Sequence, residues 1–401
     1  MSVLSAIAAL LLSVLLLIGG NAMIGVATPL RARLDGFPDL TVGLLGSAYF
    51  AGMLAGTLTA PALIRRAGHI RAFAALVAIA VASVILMPVF ATPGAWLAFR
   101  AVNGLVFAGL YAVIEAWINA KATNANRGRL YALYQIANFA ASAAGQLMLR
   151  PLGAAGFQSF AVAGALLALA IVPMAVTRVD PPAQPRTVRP RLLWLARAAP
   201  LACVAAFGAG AANGSSFALA PVFALDIGMT PSAAPIFTSA IVLGSALGVF
   251  PIGALSDRMD RRLVMAGVMI AAAAFETWLS RFSAPGAMVI VLGALVGLTS
   301  YSLYTLAVSL ANDGAAPHDL VFISVGLLFL YCVAAIAAPA FASVMMKTFG
   351  PQALFLQNAW VHLAVAAIVL WRAIARPARK PAAAPEASAA VRPAALRSPV
   401  D

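Results

Sequence analysis

Two stretches of this chain carry the same pattern 192 residues apart, and this repeat constrains the fold more than any other feature. Residues 52–71 read GMLAGTLTAPALIRRAGHIR, and residues 244–263 read GSALGVFPIGALSDRMDRRL. Each stretch begins with two glycines four positions apart and passes from an apolar run into arginines. The chain is therefore predicted to consist of two similar halves. The register also pairs Pro29 with Pro221, Arg66 with Arg258 and, after a one-residue slip, Gly104, Tyr111 and Asn119 with Gly297, Tyr304 and Asn312.

The composition identifies lipid as the solvent of these halves. Hydrophobic residues make up 63% of the 401 residues, charged residues make up 9%, and the mean hydropathy is +0.97. A soluble domain carries about 25% charged residues, so this chain cannot cover its surface with polar groups. The net charge of +14 does not indicate a nucleic-acid partner, because the basic residues stand in short clusters without interleaved aromatic residues.

Twelve apolar runs are long enough to cross a bilayer, which takes about 20 residues of helix. Helices are expected because lipid requires every backbone polar group to be satisfied internally, and no alternating barrel pattern is visible. The first run lacks a positive leader and a cleavage site, so we interpret it as a span. The predicted fold is an all-α membrane protein with twelve transmembrane helices in two pseudo-symmetric six-helix bundles. The predicted spans are residues 4–29, 41–64, 71–91, 95–119, 130–150, 154–177, 198–224, 232–254, 262–280, 285–311, 320–345 and 350–374.

Most of the lysines and arginines lie in alternate connections and at the C-terminal end. By the positive-inside rule these segments face the cytoplasm, which predicts cytoplasmic termini and a multi-pass protein of the bacterial inner membrane. The connection between spans 10 and 11 breaks the rule, because it carries Asp313, His318 and Asp319 without a basic residue. The basic connections hold Arg65, Arg66 and Arg71; Lys121, Arg127 and Arg129; Arg178, Arg186, Arg189, Arg191 and Arg197; and Arg258, Arg261 and Arg262.

The chain is divided into four parts on these grounds. Residues 1–177 are predicted to form the first six-helix bundle and residues 198–375 the second. The proline- and arginine-rich stretch within residues 178–197 is predicted to be a cytoplasmic linker. Residues 376–401 repeat alanine and proline and are predicted to be a disordered cytoplasmic tail.

One loop resembles the signature of a known transporter family. Residues 253–262, GALSDRMDRR, resemble the signature G-x-x-x-D-R-x-G-R-R of the major facilitator superfamily, with Asp260 in place of the second glycine. The first-half copy keeps Arg66, Gly68 and Arg71, but it has Arg65 where the signature has its aspartate. The resemblance covers residues 1–375 and implies a membrane transporter.

Two further segments extend the resemblance. RAVNG, which begins at Arg100 and ends at Gly104, resembles the family's fourth-helix pattern of an arginine followed four residues later by a glycine. EAWINAKATNANRGRLYALYQ, residues 115–135, is similar to the YcaD-like branch of the family, as is the stronger loop signature of the second half.

The loop signature suggests a gate between the two bundles. Asp257 offers one acceptor, and the arginines that follow offer forked donors on the same side of the membrane. Such a cluster can bridge the bundles in the outward-open state and separate when the cytoplasmic side opens. The alternative is that the arginines hold the topology by attracting anionic lipid, at about 1 kcal/mol each. The predicted gate residues are Asp257, Arg258, Arg261 and Arg262 in the second half, and Arg66, Gly68, Glu115, Arg127 and Arg129 in the first.

Charged residues inside the spans are costly and therefore mark functional candidates. Glu115 lies 15 residues after Arg100, about 22 Å along a helix, so the two cannot pair. Glu115 is interpreted either as part of the gate or as the carboxylate that couples transport to protons. Arg100 either faces the cavity or extends to the outer interface. Glu276 is predicted to be interfacial, and His362 to have a structural role.

The substrate site is expected near the midplane between the halves. Spacing places Gln135, Asn138 and Gln146 on one face of the fifth helix, and such a polar stripe serves either a ligand or helix–helix hydrogen bonds. The candidate substrate and coupling residues are Asn21, Arg100, Asn103, Tyr111, Glu115, Gln135, Asn138, Gln146, Asn213, Tyr301 and Tyr304.

The sequence thus predicts a secondary active transporter for a small organic solute, working by rocker-switch alternating access and coupled to protons. It has no phosphate-binding loop or metal-ligand cluster, so we expect no enzymatic activity, no cofactor and no metal. We expect a monomer whose partners are its substrate, protons and the lipid bilayer. A passive facilitator and a non-transporting sensor or scaffold are the alternatives.

Overall fold

The computed structural model describes residues 3–121, 127–154, 156–176, 182, 190–316 and 318–375, without the side chains of residues 3–7 and of Arg127. The described residues form sixteen α-helices. Their bounds are α1 Val3–Leu34, α2 Asp39–Ala67, α3 His69–Leu86, α4 Pro93–Lys121, α5 Arg127–Leu147, α6 Leu149–Leu152, α7 Phe157–Leu169, α8 Ile171–Val176, α9 Leu192–Ala198, α10 Pro200–Asp226, α11 Ala234–Arg258, α12 Arg261–Leu279, α13 Ala287–Ser300, α14 Leu303–Asn312, α15 Leu320–Phe349 and α16 Ala353–Ala375.

The predicted all-α membrane fold is confirmed. Over the described residues, 11 helical segments are long and apolar enough to cross a membrane. Two of these segments, Phe157–Val176 and Ala287–Asn312, each combine two consecutive helices. The fifth predicted span corresponds to α5. This helix is not among the 11 segments, because its polar stripe makes it less apolar than they are. Helices α1–α8 form the first bundle and α10–α16 form the second.

The repeated glycines are the places where helix backbones approach most closely. In the first bundle α2 crosses α4, and a Cβ added at Gly52 or Gly104 would overlap the backbone of Ala101 or Tyr49 respectively. In the second bundle α11 crosses α13, and a Cβ at Gly244 would overlap the backbone of Ala294. Small residues allow membrane helices to pack backbone against backbone. The repeat in the sequence is therefore a repeated helix crossing. The same holds for Gly56 against Leu105, Gly248 against Leu298 and Gly297 against Ile241.

The loop that joins the second and third helices turns differently in the two bundles. In the first bundle Gly68 has a φ of 78°, a left-handed conformation that glycine adopts readily. In the second bundle Asp260 occupies the corresponding position and caps α12, accepting a hydrogen bond from the backbone N–H of Arg262 at 3.0 Å. The Arg262 side chain also bonds Asp260 and holds the pKa of this carboxyl below its usual range. The departure of Asp260 from the family signature thus replaces a flexible glycine by a helix cap.

We name the two ends of the bundles by residues that lie there. The Arg33 end carries the last turn of α1, the first turn of α2 and Asp226 at the end of α10. The basic end carries Arg66, Asp257 and the first turn of α12. Most of residues 178–191 and all of residues 376–401 lie outside the described residues, so the domain boundaries stay a prediction. The last residues of the predicted linker, 192–197, belong to α9.

Candidate functional site

A cavity of about 310 Å³ lies between the two bundles. It is walled by α1, α2, α4 and α5 of the first bundle and by α10, α11, α15 and Tyr301 of the second. Among the described residues no charged side chain lines it. Its walls are apolar and aromatic with a few neutral hydrogen-bonding groups, the composition of a small-molecule site. The predicted residues that line the cavity are Asn21, Tyr111, Asn138, Gln146, Asn213 and Tyr301.

Five of the predicted residues do not line it, and three of these, Asn103, Gln135 and Tyr304, are neutral. The Nδ2 of Asn103 donates to the carbonyl of Phe99 on its own helix at 2.8 Å, so this amide supports α4. Gln135 is half-buried one turn beyond the part of α5 that lines the cavity. Tyr304 packs on the ring of Tyr331 with centroids 5.1 Å apart. The predicted stripe on α5 is thus a cavity wall only from Asn138 onward.

Five aromatic residues of the cavity wall escaped the sequence analysis, namely Tyr49, Phe50, Phe139, Phe217 and Tyr331. Phe217 of the second bundle packs against Tyr49 and Phe50 of the first, with ring centroids 5.5 and 5.6 Å apart. The rings of Phe50 and Tyr331 are 6.4 Å apart and also join the two bundles. Tyr49 and Tyr331 could have been predicted from the sequence, because each is a polar residue inside a predicted span, as Tyr111 is. These rings form the part of the site where the bundles touch.

Arg100 is buried between the bundles and does not reach the outer interface. Its side chain is 2% exposed, and its guanidinium carbon lies 4.6 Å from the centroid of the Tyr49 ring. The contact is a cation–π interaction. The Nε and Nη1 atoms of Arg100 have no hydrogen-bond partner. Arg100 lines a separate void of about 10 Å³ against Ala218 of the second bundle. The interpretation that it extends to the interface is therefore wrong, and the interpretation that it faces the main cavity is also wrong.

The Arg33 end of the cavity is closed by contacts between the bundles. Arg33 forms an ion pair with Asp226 of the second bundle at 3.1 Å and another with Asp39 of its own bundle. The hydroxyl of Ser239 has two acceptors in the first bundle within reach of its single proton, the carbonyl of Ala143 at 3.3 Å and Gln146 Oε1 at 3.4 Å. The ion pair between Arg33 and Asp226 was not predicted, because the two residues are 193 positions apart and neither belongs to a motif.

Among the residues that the structure describes, the ion pairs of the predicted gate at the basic end do not cross between the bundles. Arg261 pairs with Asp257 at 2.7 Å and with Asp313 at 3.0 Å, and all three residues belong to the second bundle. Asp313 therefore explains the acidic connection that broke the charge rule, since it neutralises an arginine of the neighbouring loop. Arg129 is exposed, and between described residues no ion pair joins it to Asp257.

The remaining predicted gate residues differ in what they contact. Arg262 is held by Asp260, and Arg66 and Arg258 are exposed at the basic end. Gly68 forms the turn between α2 and α3. The side chain of Arg127 lies outside the described residues. These residues therefore stay candidates for a gate that forms in another state.

Glu115 is exposed on α4, toward the basic end of the cavity. It lies within electrostatic range of Tyr134 in the first bundle and of Tyr304 in the second. No ion pair joins it to Arg129 or Arg258 in the described part of the chain. Its position between the bundles fits both interpretations, a gate residue and a carboxylate that exchanges protons with water.

Glu276 is not interfacial, as the sequence had suggested, but fully buried. Its side chain is 0% exposed and its Oε2 lies 2.7 Å from Nδ1 of His362, which is 1% exposed. The prediction failed because the position near the end of a span was read without its partner on α16. A buried carboxylate and a histidine in different spans are each costly alone, and pairing lowers that cost.

Comparison with known proteins identifies the family. The family model described as Major Facilitator Superfamily matches residues 10–201 and again residues 201–400. The chain belongs to the major facilitator superfamily, and it is a transport protein rather than an enzyme. The uncharacterised transporter YcaD of Salmonella typhimurium is 27% identical over 356 residues, covering 88% of this chain and 92% of that protein. The transporter Ent638_1421 of Enterobacter sp. is also 27% identical over 358 residues, with the same coverage. The predicted resemblance to the YcaD-like branch is confirmed.

Solved structures show the same fold at low sequence identity. The nucleoside transporter NupG superposes with a TM-score of 0.76 at 12% identity, covering 91% of this chain and 98% of NupG. A bacterial homologue of the human lysosomal transporter Spinster, in an inward-facing and occupied conformation, gives a TM-score of 0.70 at 16% identity, with coverages of 92% and 94%. The E. coli fucose:proton symporter FucP gives 0.61 at 14% identity, with coverages of 91% and 98%.

Proposed function

We propose that this protein is a secondary active transporter that moves a small uncharged organic solute across the bacterial inner membrane by rocker-switch alternating access. The observation that supports the proposal most directly is the cavity between the bundles, which is closed at the Arg33 end. The ion pair of Arg33 with Asp226 and the hydrogen bonds of Ser239 with Ala143 and Gln146 join the bundles at the Arg33 end or near the midplane. With the basic end in the cytoplasm, this is the state in which the cytoplasmic gate is released.

The cavity wall favours an uncharged amphipathic solute. No described charged residue lines the cavity, and Arg100 is held by Tyr49 outside it, so nothing on the wall offers an ion pair to an anion. Tyrosine and phenylalanine rings supply flat apolar contacts, while Asn138 and Asn213 supply neutral hydrogen bonds. NupG is a nucleoside transporter and FucP is a fucose symporter, so these two proteins of the same fold carry uncharged solutes. Nucleosides and sugars are therefore suitable first probes.

The sensor and facilitator alternatives are separable from this proposal. A scaffold that had lost transport would not need a cavity of about 310 Å³ with hydrogen-bonding groups on its wall. A passive facilitator would keep its transport rate when the proton gradient is collapsed. Proton coupling is supported by the exposed Glu115 between the bundles, and by FucP, a protein of the same fold that is a proton symporter.

Removal of the Asn138 amide is expected to weaken solute binding about fivefold, the loss of roughly one neutral hydrogen bond. The matched control is Gln135→Ala, which removes a similar amide from the same helix outside the cavity and is expected to leave binding unchanged. The measurement begins with a thermal-shift screen of nucleosides and sugars on the purified protein. Uptake of the stabilising solute into proteoliposomes then follows, with Asn138→Ala and Gln135→Ala in parallel. If no solute moves under an imposed proton or solute gradient, the proposal is wrong.

The gate at the basic end is expected to assemble when the Arg33 end opens. Cysteines at Asp257 and Arg129, in a background without Cys203 and Cys332, are expected to form few cross-links in the wild-type background. The charge reversal Arg33→Glu should raise the yield severalfold, because it breaks the contact that closes the opposite end. Arg31→Glu alters a pair with Asp35 inside the first bundle and should leave the yield unchanged. Equal yields in all three backgrounds would contradict a gate at Asp257.

A further inference from the structure

A chain of hydrogen bonds leads from the central cavity to the buried pair of Glu276 and His362. Asn213 lines the cavity, and its Oδ1 accepts a hydrogen bond from Ser300 Oγ at 2.8 Å. Ser300 Oγ lies 3.4 Å from Nε2 of His362, whose Nδ1 lies 2.7 Å from Glu276 Oε2. The four residues come from α10, α13, α16 and α12, and each is less than 4% exposed. The other carboxylate oxygen, Glu276 Oε1, has no hydrogen-bond partner.

The pair can hold one exchangeable proton without carrying net charge. With that proton bound, the pair is either a carboxylic acid beside a neutral imidazole or a carboxylate beside an imidazolium. When the proton leaves for water in the cavity, a carboxylate and a neutral imidazole stay behind, so the pair carries one buried negative charge. Burying an uncompensated charge is costly. The protonated and the deprotonated pair therefore differ in free energy, because the surrounding helices bury the negative charge of the deprotonated pair.

Loss of the proton also reverses the hydrogen bond between His362 and Ser300. A carboxylate only accepts hydrogen bonds, so in the unloaded pair the remaining imidazole proton must sit on Nδ1, facing Glu276. Nε2 then becomes an acceptor, and the hydroxyl proton of Ser300 is drawn to it. In the loaded pair, in contrast, Nε2 carries a proton, and Ser300 donates to Asn213. Ser300 has a single hydroxyl proton, so it cannot donate in both directions at once.

We propose that Glu276 and His362 form a proton-binding site of the second bundle, and that Ser300 couples its occupancy to the hydrogen-bonding capacity of Asn213 in the cavity. When the site is empty, Asn213 Oδ1 loses its donor and accepts a hydroxyl or N–H group of the solute instead. Solute binding and proton binding therefore oppose each other, and the coupling acts equally in both directions. This linkage is the one that a proton-driven exchanger needs. The role in transport rests on the proposed function, whereas the proton site itself does not.

The other titratable groups around the pair are neutral tyrosines and cysteines or lie at helix ends. Tyr301, at the end of α13, lines the cavity and lies within electrostatic range of Glu276. Arg281, two residues beyond the end of α12, is exposed. On the described helices packed against α12 and α16, the remaining titratable residues are Tyr304, Tyr331, Cys203 and Cys332 within the spans, and Asp226, Asp257, Arg258, Arg261, Arg262, Lys347 and Arg372 in first or last turns.

The test is histidine-selective ¹⁵N NMR of the full chain in lipid nanodiscs, without any solute. The chain has three histidines, and the variants His69→Gln and His318→Gln assign the His362 signals. In the wild type, Nε2 of His362 is expected to lose its proton as the pH is raised, while Nδ1, which faces Glu276, is expected to carry the remaining proton at high pH. Glu276→Gln should abolish this titration step, and Glu115→Gln should leave it intact. If Nε2 of His362 keeps the same protonation at every pH, the proton site is overturned, whether or not any variant folds.

The coupling to the cavity has its own readout in Ser300→Ala. The titration should survive in this variant, but the Nε2 resonance of the unloaded state should move downfield, since it has lost the hydroxyl that donates to it. An unchanged Nε2 resonance would show that Ser300 never turns from Asn213, and it would overturn the coupling. None of these spectra depends on transport, so a failed uptake assay would sink the proposed function and leave the proton site standing.

Discussion

Substitution of Gly104 by alanine is expected to remove most of the folded protein, although it adds one methyl group. The new Cβ would overlap the carbonyl oxygen of Tyr49, where α2 crosses α4. Overpacking a core costs about 1–3 kcal/mol when side chains can shift. Here the neighbour is a helix backbone that cannot rotate away, so we expect a cost at or above the upper end of that range. Gly244→Ala should have the same effect in the second bundle, where the Cβ would overlap the backbone of Ala294.

Matched controls come from the same two helices. A Cβ at Gly94 on α4 or at Gly253 on α11 meets nothing within 4 Å. Gly94→Ala and Gly253→Ala are therefore expected to fold as well as the wild type or to gain up to about 1 kcal/mol from helix propensity. The measurements are the yield of monodisperse protein in size-exclusion chromatography and the midpoint of thermal unfolding. If Gly104→Ala behaves like Gly94→Ala, then α2 and α4 are not held by backbone contact at this crossing.

The fold was predictable from sequence because its determinants are local or repeated. Each apolar run specifies a membrane helix by its length alone. The glycine pairs, read twice at a spacing of 192 residues, indicated that the chain consists of two similar halves. The division of the sixth span into α7 and α8 and of the tenth into α13 and α14 was not predictable, since the apolar runs continue through both breaks.

The site was predictable only where one helix carries the pattern. Asn138 and Gln146 were found from their spacing on α5, and Asn21, Asn213 and Tyr301 from being polar within a span. The ion pair of Arg33 with Asp226 and the pair of Glu276 with His362 each join helices that are distant in the chain. A single sequence contains no information on which of several scattered charges meet. For this reason Glu276 was assigned to the interface and His362 was given no partner.

In the alternating access that we propose, the closed Arg33 end and the unassembled gate at the basic end belong to the same half of the transport cycle. Arg33 holds Asp226 across the bundles, while Asp257 is satisfied by Arg261 inside its own bundle. When the Arg33 contact breaks, Asp226 and Arg33 face water at their end. Asp257, which is exposed, is then free to exchange Arg261 for an arginine of α5. We therefore expect the two ends to compete for closure, so that weakening the contact at one end favours closure of the other.

Charge reversal at Arg33 is the sharpest test of this competition. Arg33→Glu places three carboxylates together with those of Asp39 and Asp226, and Lys347 on the same crevice compensates only in part. A partly exposed ion pair contributes about 0.2–1 kcal/mol, and replacing attraction by repulsion roughly doubles the change. We therefore expect the ratio of closed to open Arg33 ends to fall about tenfold, which corresponds to about 1.4 kcal/mol. The exchange Arg33→Asp with Asp226→Arg should restore most of the closed population.

The measurement is the distance between spin labels on cysteines that replace two exposed residues at the Arg33 end, Leu40 in the first turn of α2 and Phe349 at the end of α15. Cys203 and Cys332 are replaced by serine, since they are the two cysteines of the chain. Arg33→Glu should broaden the distribution toward longer distances in nanodiscs, and the exchanged pair should reverse the change. Arg31→Glu is the matched control, because Arg31 pairs with Asp35 in its own bundle and does not cross between bundles. Identical distributions for Arg33→Glu and Arg31→Glu would show that the contact with Asp226 does not hold this end closed, and that the aromatic contacts around Phe217 do.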